Sequence, residues 1–398
     1  MKENDPLPEL FRAERQKLIS ELRYVFAIQT EVIEDLVSDT FLSAAERWKG
    51  DRLPQNPAAW LHTVARNKAK NYLKKKAIFD KKLTPELRRT SAVEELEYDF
   101  AESTIDDTQL AILFAICNPS LPDDAQVGLA LNLFCGVQEI ADAFLTTKHV
   151  IYKRLERAKE KLRVDRVSIT RPTSMEIRSR LGNVLTSLYL LFSEGHCSFS
   201  QCSVVRENLC TEAMRLNYLL IENPLTNTPA ANALFALMCF HSSRFAARMK
   251  EGESTVTYDD QDEALWDKEL MERGRYHLKI AASGRVVSKF HLEAGIAFWH
   301  TQKEDSKRKW ESILDLYNKL LALEYSPVAA LNRTYALFKV RGKKEAIIEA
   351  ENLNLSGNLL HRSLLSFLYN GLDDTKALTC ILAPAGVAHY KRQEMFAD

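Results

Sequence analysis

Apolar residues recur at helical spacing along most of this 398-residue chain, and that period constrains its fold more than any other feature. Leu18, Leu22, Val25 and Phe26 share one helical face, and Val32, Leu36, Val37, Thr40, Phe41 and Ala44 share another. Residues that make tight turns are scarce, with 13 Gly and 12 Pro. Sandwiches and barrels need many such turns, so the scarcity points away from an all-β fold and toward helices. A hydrophobic share of 46% supplies real cores and excludes wholesale disorder. The fold class expected is all-α, in two to four domains.

Lys plus Arg and Asp plus Glu each total 54, so a uniformly basic coat for nucleic acid is excluded. The charge is segregated, however. Between Trp60 and Thr90 the basic residues Arg66, Lys68, Lys70, Lys74, Lys75, Lys76, Lys81, Lys82, Arg88 and Arg89 are opposed only by Asp80 and Glu86. The sign then reverses: Glu94, Glu95, Glu97, Asp99, Glu102, Asp106 and Asp107 have no basic neighbour. Lys148–Arg166 is basic again. The pattern predicts a compact module over 1–78, an acidic linker over 79–106, a second module over 107–168 and a helical extension over 169–398.

Asn56-Pro57 is a helix start, with Pro in the first turn. The helix it opens carries Trp60, Leu61, Val64 and Tyr72 and is expected to end in Lys74-Lys75-Lys76. Leu121-Pro122-Asp123-Asp124 opens another, with acids where the dipole favours them, and Gly136 is expected to end it. Two short helices, Gln138–Phe144 and Thr147–Arg163, then follow the helix-turn-helix plan. Ile151, Leu155, Ala158 and Leu162 form the apolar seam of the second, while Lys153, Arg154, Arg157 and Lys161 point elsewhere. Such a seam holds the helix to its domain and leaves a basic face for phosphates and base edges.

In the extension, Leu181, Val184, Leu185, Leu188 and Leu191 form one apolar face, and Leu234, Leu237 and Met238 another. Ile313–Leu321, Val328–Val340 and Lys343–Glu351 keep a helix–turn–helix rhythm, echoed weakly over Leu359–Tyr369 and Thr375–Leu382. A spacing of about 30–35 residues suggests tetratricopeptide-like units in a degenerate solenoid.

The apolar stretches Val184–Phe192 and Ala231–Phe240 are about half the roughly 20 residues of a membrane span. The N-terminus lacks an apolar core behind a basic head, so no signal peptide is expected. Seven scattered cysteines suit a reducing compartment. The expectation is a cytoplasmic protein with no membrane partner. His196-Cys197, Cys202 and Cys210 lack the regular spacing of a zinc site. No phosphate loop, nucleophile elbow or paired-histidine motif occurs, so no enzyme activity, metal or cofactor is expected.

Two segments together carry a resemblance. Ile33-Glu-Asp-Leu-Val-Ser-Asp-Thr-Phe-Leu and Asn56-Pro-Ala-Ala-Trp-Leu-His-Thr-Val-Ala-Arg-Asn-Lys-Ala resemble region 2 of bacterial extracytoplasmic-function sigma factors. Glu139-Ile-Ala-Asp-Ala-Phe and Tyr152-Lys-Arg-Leu-Glu-Arg-Ala-Lys-Glu-Lys-Leu resemble their region 4. Ile116-Cys-Asn-Pro, Leu188-Tyr-Leu-Leu-Phe-Ser-Glu-Gly-His, Asp260-Gln-Asp, Trp266-Asp and Ser326-Pro-Val-Ala-Ala-Leu-Asn-Arg are similar to the subgroup with a long tetratricopeptide-like extension.

The resemblance implies a dissociable subunit of core RNA polymerase that reads promoter DNA. Region 2 would bind the β′ clamp helices through Asp35, Ser38 and Asp39, with Ser38 standing where the family usually has Gln. It would take the −10 element on the loop Lys49–Asn56 and on His62, Thr63, Arg66, Asn67, Lys70 and Lys74, and Asn71 stands where Asp is usual. Region 4 would bind the β flap and read the −35 element through Thr147, Lys148, Val150, Lys153, Arg154 and Arg157, with Tyr152 replacing a common Lys. The acidic linker would lie in the RNA exit path, and an unidentified regulator would act on the extension.

Physically, Lys153 and Arg154 are long donors suited to base edges, while Lys148 and Arg157 hold phosphates. Trp60 could stack on an unpaired base, but large aromatics usually serve packing. Two further functions remain open from sequence: a free-standing helix-turn-helix regulator with a helical sensor, and a helical interaction scaffold.

Overall fold

The computed structural model describes residues 7–26, 30–48, 54, 56–83, 107–144, 146–164, 172–196, 207–248, 256, 258–355, 358–372 and 375–376. Every regular element among them is helical, which makes the protein all-α. The chain divides into two compact units, Met1–Ser187 and Leu188–Asp398.

The first unit begins with α1 (Leu7–Phe26), α2 (Thr30–Arg47) and α3 (Pro57–Leu83), each packed on the other two. Leu18, Leu22, Phe26, Ile33, Val37, Phe41, Ala44, Leu61 and Ala65 make their shared core. Trp60 lies half-buried against that core and edge-on to Trp48, with ring centroids 5.2 Å apart, so it serves packing. Asn56 caps α3, its Oδ1 accepting from the Ala59 amide at 3.0 Å, and Pro57 fills the first helical position. The helix continues past the expected end at Lys76 to Leu83. No Gly or Pro interrupts residues 58–83, and a lysine triplet is compatible with helix interior.

The second module comprises α4 (Thr108–Ile116), α5 (Asp123–Leu131), α6 (Val137–Ala143) and α7 (Lys148–Val164). Asp107 caps α4 through the Leu110 amide at 3.0 Å. Gly136 does not end α5, as the sequence suggested. The helix stops at Leu131, three turn hydrogen bonds carry the chain through Cys135, and Gly136 is the extended N-cap residue of α6. Leu129, Ala130, Leu131, Leu133 and Phe134 are buried around a single half-buried Asn132, so the boundary looks like more helix. Ile151, Leu155 and Ala158 of the expected seam are buried, Leu162 is half-buried, and α7 packs on both α5 and α6. The modules touch: the buried Ser20 hydroxyl of α1 donates to the Leu133 carbonyl at 3.1 Å, and Gln109 of α4 donates to Ser20 Oγ at 3.3 Å.

Helix α8 (Ser174–His196) begins inside this unit, which runs beyond the expected module end at 168 to Ser187. The acidic linker falls mostly outside the described residues, except where α3 occupies its start.

The second unit is built around α10 (Pro229–Ser242), buried on every side from Ala231 to Phe240. Helices α9 (Glu207–Glu222), α12 (Lys268–Ala281) and α13 (Lys289–His300) pack around it, and α11 (Phe245–Arg248) follows it. Thr228 caps α10 ahead of Pro229. Two lysines pin the connection before α12. Lys309 donates to Tyr258 Oη at 2.9 Å and to the Gln302 carbonyl at 2.6 Å; Lys303 donates to the carbonyls of Tyr258 and Gln261 at 3.1 and 2.6 Å. Burial pushes the Lys309 ammonium down to about 8. Asp262 and Asp267 cap the helical turns that follow them, through Ala264 and Leu270 at 2.9 Å each. The motif residues around Asp260 and Trp266 thus serve local structure. Helices α14 (Lys307–Leu323), α15 (Pro327–Arg341), α16 (Lys343–Asn352) and α17 (Leu359–Tyr369) pack each on the next, in the repeat rhythm read from sequence. Gly342 makes the α15–α16 turn at φ +90°, a backbone that side chains disfavour. The Thr375–Leu382 echo lies almost wholly outside the described residues.

Two glycines in helix interiors should respond oppositely to substitution. A Cβ on Gly274 would stand 2.6 Å from Phe240 Cε1, where α12 meets α10, so Gly274→Ala should destabilise by about 1–3 kcal/mol. Nothing lies within 4 Å of a Cβ on exposed Gly182, so Gly182→Ala should stabilise by about 0.5–1 kcal/mol. Thermal unfolding of the two variants checks both signs.

Candidate nucleic-acid interface

Helix α2 buries Ile33, Val37, Thr40, Phe41 and Ala44, and so turns Asp35, Ser38 and Asp39 to solvent. Ser38 donates back to the Glu34 carbonyl at 2.8 Å. Leu42, on the same exposed face, is 59% exposed, which adds an apolar contact to a carboxylate-rich surface. A leucine left unburied one turn past Ser38 was visible in the sequence, because it falls off the core stripe.

Helix α3 separates the expected −10 residues by face. Leu61, Ala65 and Ala69 are buried, and Thr63 and Asn67 are exposed. Exposed Asn56 uses its side chain as the α3 cap, Lys70 is half-buried, and the Lys74 side chain lies outside the described residues, as does most of the loop 49–56.

His62 and Arg66 turn inward instead. Glu21 on α1 is 2% exposed, and its carboxylate accepts from His62 Nδ1 and from Arg66 Nε. The other imidazole nitrogen of His62 meets Glu14 Oε2 at 3.2 Å, and Lys17 donates to Glu14 Oε1 at 3.1 Å. A carboxylate inside a helix bundle requires compensating cations, and these side chains supply them. Burial pushes His62 down, but its hydrogen bonds to Glu14 and Glu21 outweigh this and raise it to about 9. Burial pushes Glu21 up, yet His62 and Arg66 hold it below the ordinary carboxylate range. The His62 hydrogen bond likewise holds Glu14 low, against burial. His62 is therefore an imidazolium at neutral pH. Sequence reading missed both acids, although Glu14 and Glu21 share the α1 stripe of Leu18 and Leu22 and so sit among core positions.

In the second module α6 and α7 lie where the helix-turn-helix was expected, and α7 also packs on α5. Thr147, Lys148, Val150, Tyr152, Lys153 and Arg157 are exposed. A groove of about 610 Å³ lies between the start of α5 and α7, edged by Lys153, Arg154, Arg157 and Lys161 and floored by Pro122, Ala125 and Ala158. Arg154 differs from its neighbours. It pairs with Asp124 of α5 at 3.2 Å, and its guanidinium lies 4.9 Å from the centroid of the Phe144 ring. The sequence placed it wholly off the packing surface, whereas the structure gives it contacts to α5 and to Phe144, just after α6.

The α1–α3 charge cluster makes the stability of the first unit depend on pH. His62 titrates at about 9 when folded against an ordinary 6.5, so its contribution is complete below 6.5 and is lost as pH rises through about 9. The shift corresponds to on the order of 3 kcal/mol. Glu14 and Glu21 lie low when folded, so their contribution is present above the ordinary 4.5 and is lost in acid. Stability should peak at roughly pH 5 to 6.5 and fall toward pH 9. Urea unfolding across this range should show the fall, and His62→Gln should flatten its alkaline limb.

Residues 10–78, which span most of α1, all of α2 and most of α3, match sigma-70 region 2. Residues 180–282 match a family of unknown function, DUF6596. An uncharacterized protein of Rhizobium meliloti (strain 1021) is 30% identical over 364 residues, covering 89% of this chain and 85% of the relative. No solved structure matches. Among the described residues no helix is long and apolar enough to cross a membrane. The region 2 match supports a sigma-factor-like role in transcription initiation, with core RNA polymerase and promoter DNA as partners. The chain belongs to one family with the Rhizobium meliloti protein, and its N-terminal module is a sigma-70 region 2 domain.

Proposed function

We propose that this protein is an alternative sigma factor of the extracytoplasmic-function kind, acting in the cytoplasm with its extension as the controlling domain. One observation carries the reading: a single chain joins a sigma-70 region 2 domain to a helix-turn-helix whose last helix exposes Lys148, Lys153 and Arg157. The exposed Asp35, Ser38, Asp39 and Leu42 face of α2 is the surface offered to the β′ clamp helices. Thr63 and Asn67, with Asn56 at the start of α3, are the −10 contacts favoured by exposure. His62 and Arg66 act indirectly, by fixing α3 on α1.

In the helix-turn-helix module, the exposure of Thr147, Lys148, Val150 and Lys153 supports their entering the major groove at −35, and that of Arg157 its holding a phosphate. Arg154 reaches DNA only from the edge of the groove beside Asp124. The β flap is the polymerase partner of this module. The reading requires no cofactor or metal.

Asp35→Ala combined with Asp39→Ala should weaken binding to core polymerase and leave folding intact, because both side chains are exposed and off the core stripe. A pull-down at physiological salt checks this; unchanged binding would remove α2 as the clamp surface. Lys153→Ala with Arg157→Ala should weaken promoter binding by the holoenzyme. With Arg157 as the phosphate contact of the pair, the slope of log affinity against log salt should fall by about 1.

A further inference from the structure

Two side chains beyond the helix-turn-helix fasten α4 and α5 of its module from outside. Arg180 of α8 is 8% exposed and donates from Nη1 to the Phe114 carbonyl at 3.1 Å. Phe114 stands in the last turn of α4, where carbonyls lack intrahelical partners and a cation suits the dipole. Glu176, one turn earlier on α8, accepts from Arg180 Nη2 at 2.5 Å and balances the buried charge. Three residues on, the Asn183 amide donates to Asp123 Oδ1 at 3.0 Å and to Gln126 Oε1 at 2.8 Å. Gln126 is 2% exposed, and its own amide donates to the Leu121 carbonyl at 2.8 Å, so its oxygen is fixed toward α8.

Both Asn183 partners belong to the opening of α5, and so does Asp124, which pairs with Arg154 of α7. Side-chain contacts therefore run from α8 through α5 to the basic helix. Resting on the sigma-factor reading, we propose that residues 174–187 are an added helix of the −35-reading module, with Arg180 and Asn183 as positioning residues for α7. Base-edge hydrogen bonds need a donor placed within a few tenths of an ångström, whereas phosphate attraction is long-range. Loosening α5 therefore blunts sequence discrimination before it weakens general affinity for DNA.

The test uses holoenzyme made from core polymerase and the full-length chain, transcribing promoter libraries randomised separately at −35 and −10. Wild-type selectivity at neither element overturns the sigma-factor reading, and this proposal with it. Asn183→Asp removes both donors and sets a carboxylate against Asp123. It should lower −35 selectivity about tenfold, with −10 selectivity, core affinity and non-specific DNA affinity within about twofold of wild type. Arg180→Ala should act likewise, and Arg180→Lys, which keeps a cation at the Phe114 carbonyl, should restore part of the selectivity. Unchanged −35 selectivity in Asn183→Asp and Arg180→Ala overturns the proposal. Equal loss at both elements also overturns it, since that marks general loss of structure.

Discussion

The buried carboxylate of Glu21 fixes the N-terminal module. An acid that is 2% exposed is tolerable only with cations in contact, and His62 and Arg66 both come from α3. Apolar packing alone would let α3 slide or rotate on α1 at small cost, because one aliphatic contact resembles the next. An ion pair to a buried acid has one satisfactory geometry, so it sets the register of the two helices. That register decides which residues of α3 face outward. Thr63 and Asn67 are exposed because their neighbours His62 and Arg66 are committed to α1.

The same logic recurs in the second module at lower stakes. Ile151, Leu155 and Ala158 bury α7, but a three-residue seam fixes its rotation only loosely. Arg154 supplies the missing restraint by pairing with Asp124 on α5 and covering Phe144 in the turn after α6. Asp124 is half exposed, so this contact contributes little to overall stability and more to orientation. Orientation is what the proposed base-reading role of α7 would require.

Much of this was legible in the sequence, for reasons that differ by residue. The all-α class, the Asn56-Pro57 start and the α7 seam followed from helical period and capping chemistry, which are local. The trio Asp35, Ser38 and Asp39 came from the family resemblance, and the α2 stripe is consistent with their exposure. The inward turn of His62 and Arg66 was not legible from their own helix, since both fall among basic residues that look solvated. The signal lay elsewhere, in two acids on the apolar stripe of α1. The end of α5 was hidden because its turn is buried, and burial erases the polar marks by which turns are recognised. The contacts of the first half of α8 were hidden for a third reason. Arg180 and Asn183 act through a backbone carbonyl and through side chains far away in sequence, and no periodicity records such a contact.

A chain with balanced charge can still carry a strongly basic surface, and pairing shows how. His62, Arg66, Arg154 and Arg180 each meet a carboxylate contributed by the fold: Glu21 for the first two, Asp124 for the third and Glu176 for the fourth. These cations are neutralised locally and add little to the field outside the protein. Lys148, Lys153 and Arg157 have no acidic partner among the described residues, so their charge stands on the surface of α7. Counting basic residues along the sequence merges the two groups. Only the first is needed to hold helices in place, and only the second is available to a polyanion, because a phosphate must otherwise displace a carboxylate already seated in better geometry.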